Sequence, residues 1–349
     1  MKKALSIIML SMAILSSCER MGDDGEDKSA TVGTFILNNG TWGGNDSEIS
    51  VFNPLDGSCV PDAFSAANGQ KLGDLAQDIL RLNDEIYIAV SGSQTIFVTD
   101  TKLKIKTRIN AEHDGARLSP RALTSNGKKI YVSYYEGFVG EISPEDHSCR
   151  LTKVGPNPEG LDICGDRLYV ADSGGMAFPN YGSTISIVSL SGFTRTDTLK
   201  VNVNPVKVAA YDDRVYIFSY GDYAAVPALL QVYDTSDGSM KTLEYDSVSS
   251  IAEGEDGILY LLCCEFDEHW NTLPGLIMMH DMRTDTPLGE FVTDGTELPN
   301  AYSISAAADG NIYVGCSDYI TTGEVCVFSK EGRLLHRFDS GGFNPIAAE

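Results

Sequence analysis

Short apolar runs broken by turn signals carry the hydrophobic pattern of this chain. The sharpest run is a triplet of aliphatic, Tyr, aliphatic, found as Ile86-Tyr87-Ile88, Ile130-Tyr131-Val132, Leu168-Tyr169-Val170, Val215-Tyr216-Ile217, Leu259-Tyr260-Leu261 and Ile312-Tyr313-Val314. Its tyrosines lie 44, 38, 47, 44 and 53 residues apart. A turn pair precedes each triplet: Asn83-Asp84, Asn126-Gly127, Gly165-Asp166, Asp212-Asp213, Asp256-Gly257 or Asp309-Gly310. Such pairs accept the positive φ that tight hairpins need. Before each turn lies another apolar run, in several cases opened by Ser119-Pro120, Asn157-Pro158, Asn204-Pro205 or Pro299-Asn300. After each triplet come a variable loop and a third run, such as Ile96-Phe97-Val98 or Leu230-Gln231-Val232-Tyr233.

Four short antiparallel strands in about 40–50 residues is the repeat of a β-propeller blade. A 3.6-residue helical period is nearly absent, which excludes a helical solenoid. Phe35-Ile36-Leu37 and Ile49-Ser50-Val51-Phe52 form a seventh unit that lacks a first strand. Asn344-Pro345-Ile346-Ala347-Ala348 has the Asn-Pro opening of a first strand, so the C-terminus is expected to complete that unit. The fold class expected is all-β: a seven-bladed β-propeller whose ring is closed by the C-terminal strand in the first blade, which removes exposed sheet edges.

The N-terminus reads as an address. Lys2 and Lys3 precede an apolar, small-residue stretch from Ala4 to Ser17, followed by Cys18. That is the order of a secretory signal, and Leu15-Ser16-Ser17-Cys18 resembles the lipobox of bacterial lipoproteins, in which the Cys is lipidated and the chain is cut before it. The expected boundaries are a signal peptide over 1–17, a lipidated flexible tether over 18–30 and a single propeller domain over 31–349. Asp23, Asp24, Glu26 and Asp27 make the tether too polar to pack. Acids so close to a lipidated Cys also resemble the surface-export signal of some Gram-negative bacteria. The chain is thus expected at the outer membrane, anchored by lipid and facing the cell surface.

Charge narrows the function. With 26 Lys+Arg against 49 Asp+Glu the chain carries −23, and loss of Lys2 and Lys3 would make it −25. Nucleic-acid binding needs clustered cations and is excluded on this count, as is adhesion to an anionic lipid surface. Seven cysteines remain after Cys18, namely Cys59, Cys149, Cys164, Cys263, Cys264, Cys316 and Cys326. An odd number without shared spacing is no disulfide framework, although a single bridge stays open. No Cys-x-x-Cys pair suggests zinc.

The candidate ligand face is the one where second-to-third-strand loops emerge, because a rigid scaffold leaves recognition to its loops. Those loops, about 40–47, 91–95, 134–137, 172–183, 219–228, 263–275 and 316–323, cover 60 of 349 residues yet hold ten of 31 aromatic side chains. The ten are Trp42, Tyr134, Tyr135, Phe178, Tyr181, Tyr220, Tyr223, Phe266, Trp270 and Tyr319. Flat rings on fixed loops suit a bulky planar or sugar-like ligand. Met176 and His269 belong to the same loops. Asp78, Arg121, Glu159, Lys207 and Asn300 are expected at the channel-facing ends of first strands, where charge-assisted bonds fix a ligand's polar groups. His280 and His336 fall in or beside strands and read as structural. No phosphate loop, paired-His zinc motif or Gly-x-Ser-x-Gly turn occurs. The expectation is a binding protein without chemistry, needing no cofactor and no metal. The alternatives are a metal-dependent hydrolase or lyase using channel carboxylates such as Glu159 with Asp172, and a protein- or glycan-binding scaffold.

The triplets and Asn-Pro openings over 31–349 resemble the YncE-like seven-bladed propellers. With the lipobox and Phe35-Ile36-Leu37-Asn38-Asn39-Gly40, the chain resembles the surface lipoproteins of gut Gram-negative anaerobes in that group. For its BtuG-type members the resemblance implies capture of cobalamin (vitamin B12) outside the cell and delivery to a TonB-dependent outer-membrane transporter, with no enzymatic step.

The lipidation reading is tested by metabolic labelling in a Gram-negative host. The native chain should take up labelled palmitate, and Cys18→Ser should abolish uptake and shift the protein to the aqueous phase in detergent partition. Label persisting in the variant excludes Cys18 as the anchor.

Overall fold

A computed structural model describes residues 33–254, 257–265 and 273–349. Cys18 and its tether, and the turn residue Asp256, lie outside them. Seven four-stranded antiparallel sheets make up the fold. Six are contiguous in sequence. Their first strands are Ala76–Leu82, Pro120–Ser125, Pro158–Cys164, Pro205–Tyr211, Val248–Glu253 and Ala301–Ala306. Their second strands, which carry the triplets, are Glu85–Val90, Ile130–Tyr134, Arg167–Asp172, Arg214–Ser219, Ile258–Cys263 and Ile312–Cys316. The remaining sheet joins Thr34–Asn38, Glu48–Phe52 and Cys59–Val60 to Pro345–Ala348 from the C-terminus. The chain is a seven-bladed β-propeller, closed as its sequence predicts.

First strands stand side by side around the ring, and no strand pairing crosses from blade to blade among the described residues. The apolar cores therefore lie between blades. There are seven clusters, one for each blade-to-blade interface. Six of them hold a triplet tyrosine, each at most 2% exposed, while the interface of the first and second blades packs Phe35, Phe64 and Phe97 instead. A buried phenol needs a partner at its polar tip. Tyr87 donates to Glu85 at 2.7 Å and Tyr313 to Asp309 at 2.7 Å, while Tyr216 donates to the Met282 carbonyl at 3.3 Å. Turn residues take the left-handed conformation that their types allow, with φ of 55° at Asn83, 49° at Asp212 and 79° at Gly127.

Closure joins the last blade to the first. Phe35 N–H donates to the Glu349 carbonyl at 2.7 Å and Glu349 N–H returns to the Phe35 carbonyl at 3.0 Å. Asn39 N–H reaches the Asn344 carbonyl at 3.0 Å. Side chains lock the same seam: Ser317 donates to Asn344 Oδ1 at 2.6 Å, and Asn344 Nδ2 to the Gly40 carbonyl at 2.9 Å. Phe52 stacks on Phe338 with centroids 4.3 Å apart, bridging the first and last blades.

Two elements escape the repeat. A short helix, Ala63–Asn68, buries Phe64 edge-on against Phe97 at 5.1 Å, and Glu48 accepts the Ser65 N–H at 3.1 Å to hold it. A two-residue ribbon, Glu112–His113 with Ala116–Arg117, decorates the loop before the third blade. All seven cysteines in the described residues are free thiols, so the single bridge left open by the sequence is not formed.

Deleting residues 345–349 should cost on the order of 4 kcal/mol, since each lost backbone hydrogen bond contributes about 1 kcal/mol net. Urea denaturation reads this as a lower midpoint, and an unchanged midpoint would show that closure contributes nothing to stability.

Candidate ligand-binding face

Each first strand begins with the same irregularity. The residue before it takes positive φ in six blades: Leu75 54°, Asn157 47°, Asn204 60°, Ser247 57°, Asn300 52° and Asn344 55°. Asn is the most tolerant of this conformation after Gly, which explains the Asn-Pro openings. In all seven blades the carbonyl at this position, Ser119 included, accepts an N–H from just past the second strand. The donors are Ser91, Tyr135, Ser173, Tyr220, Cys264, Ser317 and Asn39. That bond brings the two loop families together on one face.

A bulge follows. The register slips once near the start of every first strand, as between Pro120 and Leu123 or between Pro205 and Lys207. An unpaired extra residue lets two neighbouring side chains turn toward the axis where a regular strand would send one. The channel wall consists of the resulting pairs: Gln77 and Asp78, Arg121 and Ala122, Glu159 and Gly160, Val206 and Lys207, Ser249 and Ser250, Tyr302 and Ser303. Ile346 completes it from the C-terminal strand, and the cavity holds about 250 Å³.

The charges in this neck are largely satisfied. Arg121 donates through Nε and Nη2 to Glu159 Oε2 at 2.9 and 2.7 Å, and its guanidinium lies 5.0 Å over the Tyr135 ring. Asp78 accepts the Leu123 and Ile79 N–H groups at 2.7 and 2.9 Å. Burial raises both carboxyls, opposed at Glu159 by Arg121 and Lys207 and at Asp78 by Lys207. Lys207 is exposed to the channel and makes no ion pair within 4.0 Å among the described residues.

Above the neck opens a groove of about 510 Å³ lined by Tyr220, Tyr223, Ser247, Ser249, Tyr302 and Tyr319, with Asn300 on its wall. Tyr220, Ser249 and Tyr302 line both hollows, so groove and channel are continuous. The aromatic surface extends outward through Tyr220–Tyr223 at 5.9 Å, Tyr223–Tyr181 at 6.0 Å and Tyr181–Phe178 at 6.0 Å. Tyr302 and Tyr319 meet edge to face at 5.4 Å across the groove. Desolvation raises Tyr302 to about 12 and pushes Tyr220, Tyr223 and Tyr319 upward too. At neutral pH these phenols keep their protons and act as donors.

The aromatic residues expected on this face divide into three groups. Tyr181, Tyr220, Tyr223 and Phe178 form one cluster, Tyr319 faces it, and Tyr135 sits over Arg121. Trp42 is on the face at 90% exposure but touches no other ring among the described residues. Tyr134 is a correction: it ends a second strand, is 1% exposed and points into the core with Phe138, because in a strand it faces opposite to Tyr135. Phe266, His269 and Trp270 lie outside the described residues. Arg121, Glu159, Lys207 and Asp78 do share the neck, but Asn300 stands one residue before its strand and faces the groove instead. Tyr302 takes the channel position that Asn300 was assigned. Ser249 and Ser250 were missed because no proline marks their strand, and Tyr302 because Pro299 lies two residues before its strand and draws the count to Asn300. Counting one and two residues on from each first paired position would have found them.

Glu159 and Asp172 do not share a site. Asp172 is fully buried, receiving Gly155 N–H at 3.0 Å, Thr184 Oγ1 at 2.9 Å and Ser186 Oγ at 2.8 Å. Among the described residues no three His, Cys, Asp or Glu converge as metal ligands. His280 is buried between Tyr245 and Asp285, each at 2.9 Å, as a structural histidine would be. A larger hollow, about 710 Å³, lies at the rim of the opposite face, but its Arg150 is paired with Glu141 at 2.8 and 3.1 Å.

No protein-family model matches this chain, and no curated protein matches its sequence. Solved structures do: 1264 chains match, among them Kuenenia stuttgartiensis hydrazine synthase. It superposes with a TM-score of 0.56 over 71% of this chain and 74% of that one, at 14% identity. The likeness is one of fold.

Deeper in the channel Glu253 meets Asp162, which also accepts Ala210 N–H at 2.8 Å and Thr124 Oγ1 at 3.1 Å. Burial, and then the neighbouring Asp162 charge, raise Glu253 to about 8, and burial raises Asp162 as well. The folded protein thus holds a proton that the unfolded chain releases at lower pH, so stability should fall as pH rises from about 5 through 8. Thermal melts across this range should show the decline for the native protein and a flatter profile for Glu253→Gln. Equal profiles would exclude the shared proton.

Proposed function

We propose that this chain is a non-enzymatic capture protein for a bulky nutrient, and that the nutrient is a corrinoid such as cobalamin. The observation carrying this reading is the tyrosine-lined groove, open on the loop face and continuous with a polar neck. Rings on rigid loops supply large contact area at low entropic cost, and the neck supplies donors and acceptors for a ligand's polar edge. Tyr220, Tyr223, Tyr302 and Tyr319 stack on the ligand's flat parts, with Tyr181 and Phe178 extending the surface. Arg121, Lys207 and Glu159 receive amide or hydroxyl groups from below.

A corrinoid is larger than the groove and would remain partly exposed, which suits hand-over to a second protein. On this reading that protein is a TonB-dependent outer-membrane transporter, and a lipid on Cys18 keeps the two together at the cell surface. The absence of chemistry is supported by how the neck's carboxyls are held, Asp78 by two backbone N–H groups and Glu159 by Arg121.

The test is an absorbance spectrum after incubation with cyanocobalamin and desalting. The native protein should retain the corrin bands, and Tyr220→Ala with Tyr223→Ala should weaken binding about tenfold or more, each lost aromatic contact being worth on the order of 1 kcal/mol. A colourless native protein rejects cobalamin as the ligand.

A further inference from the structure

The loops of the binding face carry a charge distribution that the opposite face does not share. Among described residues, the second-to-third-strand loops and the loops leading into first strands hold thirteen Asp and Glu but only two Lys and Arg. Both cations are already engaged, Lys71 at 3.2 Å from Asp62 and Arg117 at 3.7 Å from Glu112. On the loops of the opposite face the corresponding numbers are eleven and seven. The chain's acidity is therefore not spread evenly: the face with the groove is nearly stripped of cations.

Five of the acids are close in sequence to residues that line the groove. Asp222 and Asp318 share loops with Tyr223 and Tyr319, Glu265 follows Cys264, and Glu244 and Asp246 precede Ser247 on the groove wall. Asp222 and Asp318 stay ionised, since backbone N–H groups from Val226 and Ala224, and from Thr321 and Ile320, hold their carboxyls below the ordinary range. The exposed rings of Tyr223 (69%) and Tyr319 (64%) present faces whose quadrupole attracts a cation. Acidic loops around such a mouth raise the local concentration of cations and speed their arrival. Below the mouth the charges balance, Arg121 and Lys207 against Glu159 and Asp78. A positive charge is favoured at the tyrosines and finds no net negative charge in the neck.

We infer that the groove takes a bulky organic cation, with the positive charge seated among Tyr220, Tyr223, Tyr302 and Tyr319 and a neutral polar part directed into the neck. This rests on the reading of the groove as the ligand site and adds the charge of the part it seats; a cobalt(III) corrin bearing one cyanide is such a cation, its charge balanced by a phosphodiester elsewhere in cyanocobalamin. The selection is electrostatic, so it falls with added salt, as surface potentials do.

Two xanthene dyes of similar shape and opposite charge provide the test: rhodamine 6G, a cation, and fluorescein, a dianion. Fluorescence anisotropy with the full-length protein at low salt should show rhodamine 6G binding at least about tenfold more tightly than fluorescein. Physiological salt should shrink that preference. Glu244→Lys with Asp246→Lys, which leaves every ring in place, should bring the two dyes close to parity. Equal affinities in the native protein, a preference for fluorescein, or no binding of either dye would overturn the inference. Should both dyes bind equally and both be lost in Tyr220→Ala with Tyr223→Ala, the groove remains the site and only the charge selection falls. Should neither dye bind while cyanocobalamin is retained, capture stands and the inference fails.

Discussion

A single slipped register, repeated in all seven blades, decides what this protein presents to a ligand. A regular strand sends alternate side chains to opposite faces, so an inner strand would offer the axis one residue in two. The bulge at the mouth end of each first strand breaks that alternation, and neighbouring residues both reach the wall. The left-handed residue just before it gives up its carbonyl to the end of the second strand. The wall, the neck and the groove floor follow from this one arrangement, and the aromatic loops are mounted on its two ends.

Because no sheet pairs with the next, something other than a backbone ladder has to tie the inner strands together around the axis. Side chains do so. Asp78 of the second blade accepts from Leu123 of the third, Asp162 of the fourth from Ala210 of the fifth, and Glu349 from Arg81 of the second. Ser303 donates to the Pro345 carbonyl at 2.7 Å across the closing seam. Carboxylates buried in such a channel are stable only because they accept hydrogen bonds or share a proton. The raised carboxyls are thus a consequence of using acids as the fasteners of the ring. The Asp162–Glu253 contact has no cation to offset it, so a proton takes that place.

The two faces divide the remaining work. Tight turns with Gly, Asn and Asp close the lower face, with cations and acids mixed. The upper face carries longer loops, most of the exposed rings and almost none of the cations. Rigid blades let these loops vary without loss of the core, since each interface has its own apolar cluster. Recognition and stability draw on different residues, apart from the belt of neck charges that serves both.

The repeat, the blade number and the closing strand were legible in the sequence, because aliphatic-Tyr-aliphatic triplets and turn pairs act over a few residues and recur at a steady spacing. The aromatic loops were legible for the same reason: they interrupt the repeat at a fixed point. Arg121, Glu159 and Lys207 were placed in the channel by the prolines before them. The sequence could not place Tyr134 against Tyr135, because adjacent residues differ only in which way the strand turns them. Nor could it separate Asn300 from Tyr302, or pair Asp162 with Glu253, residues 91 apart that the ring brings together from the fourth and sixth blades. Local chemistry writes the strands and turns, while only the closed ring brings distant blades within reach of one another and decides which side chains share a hollow.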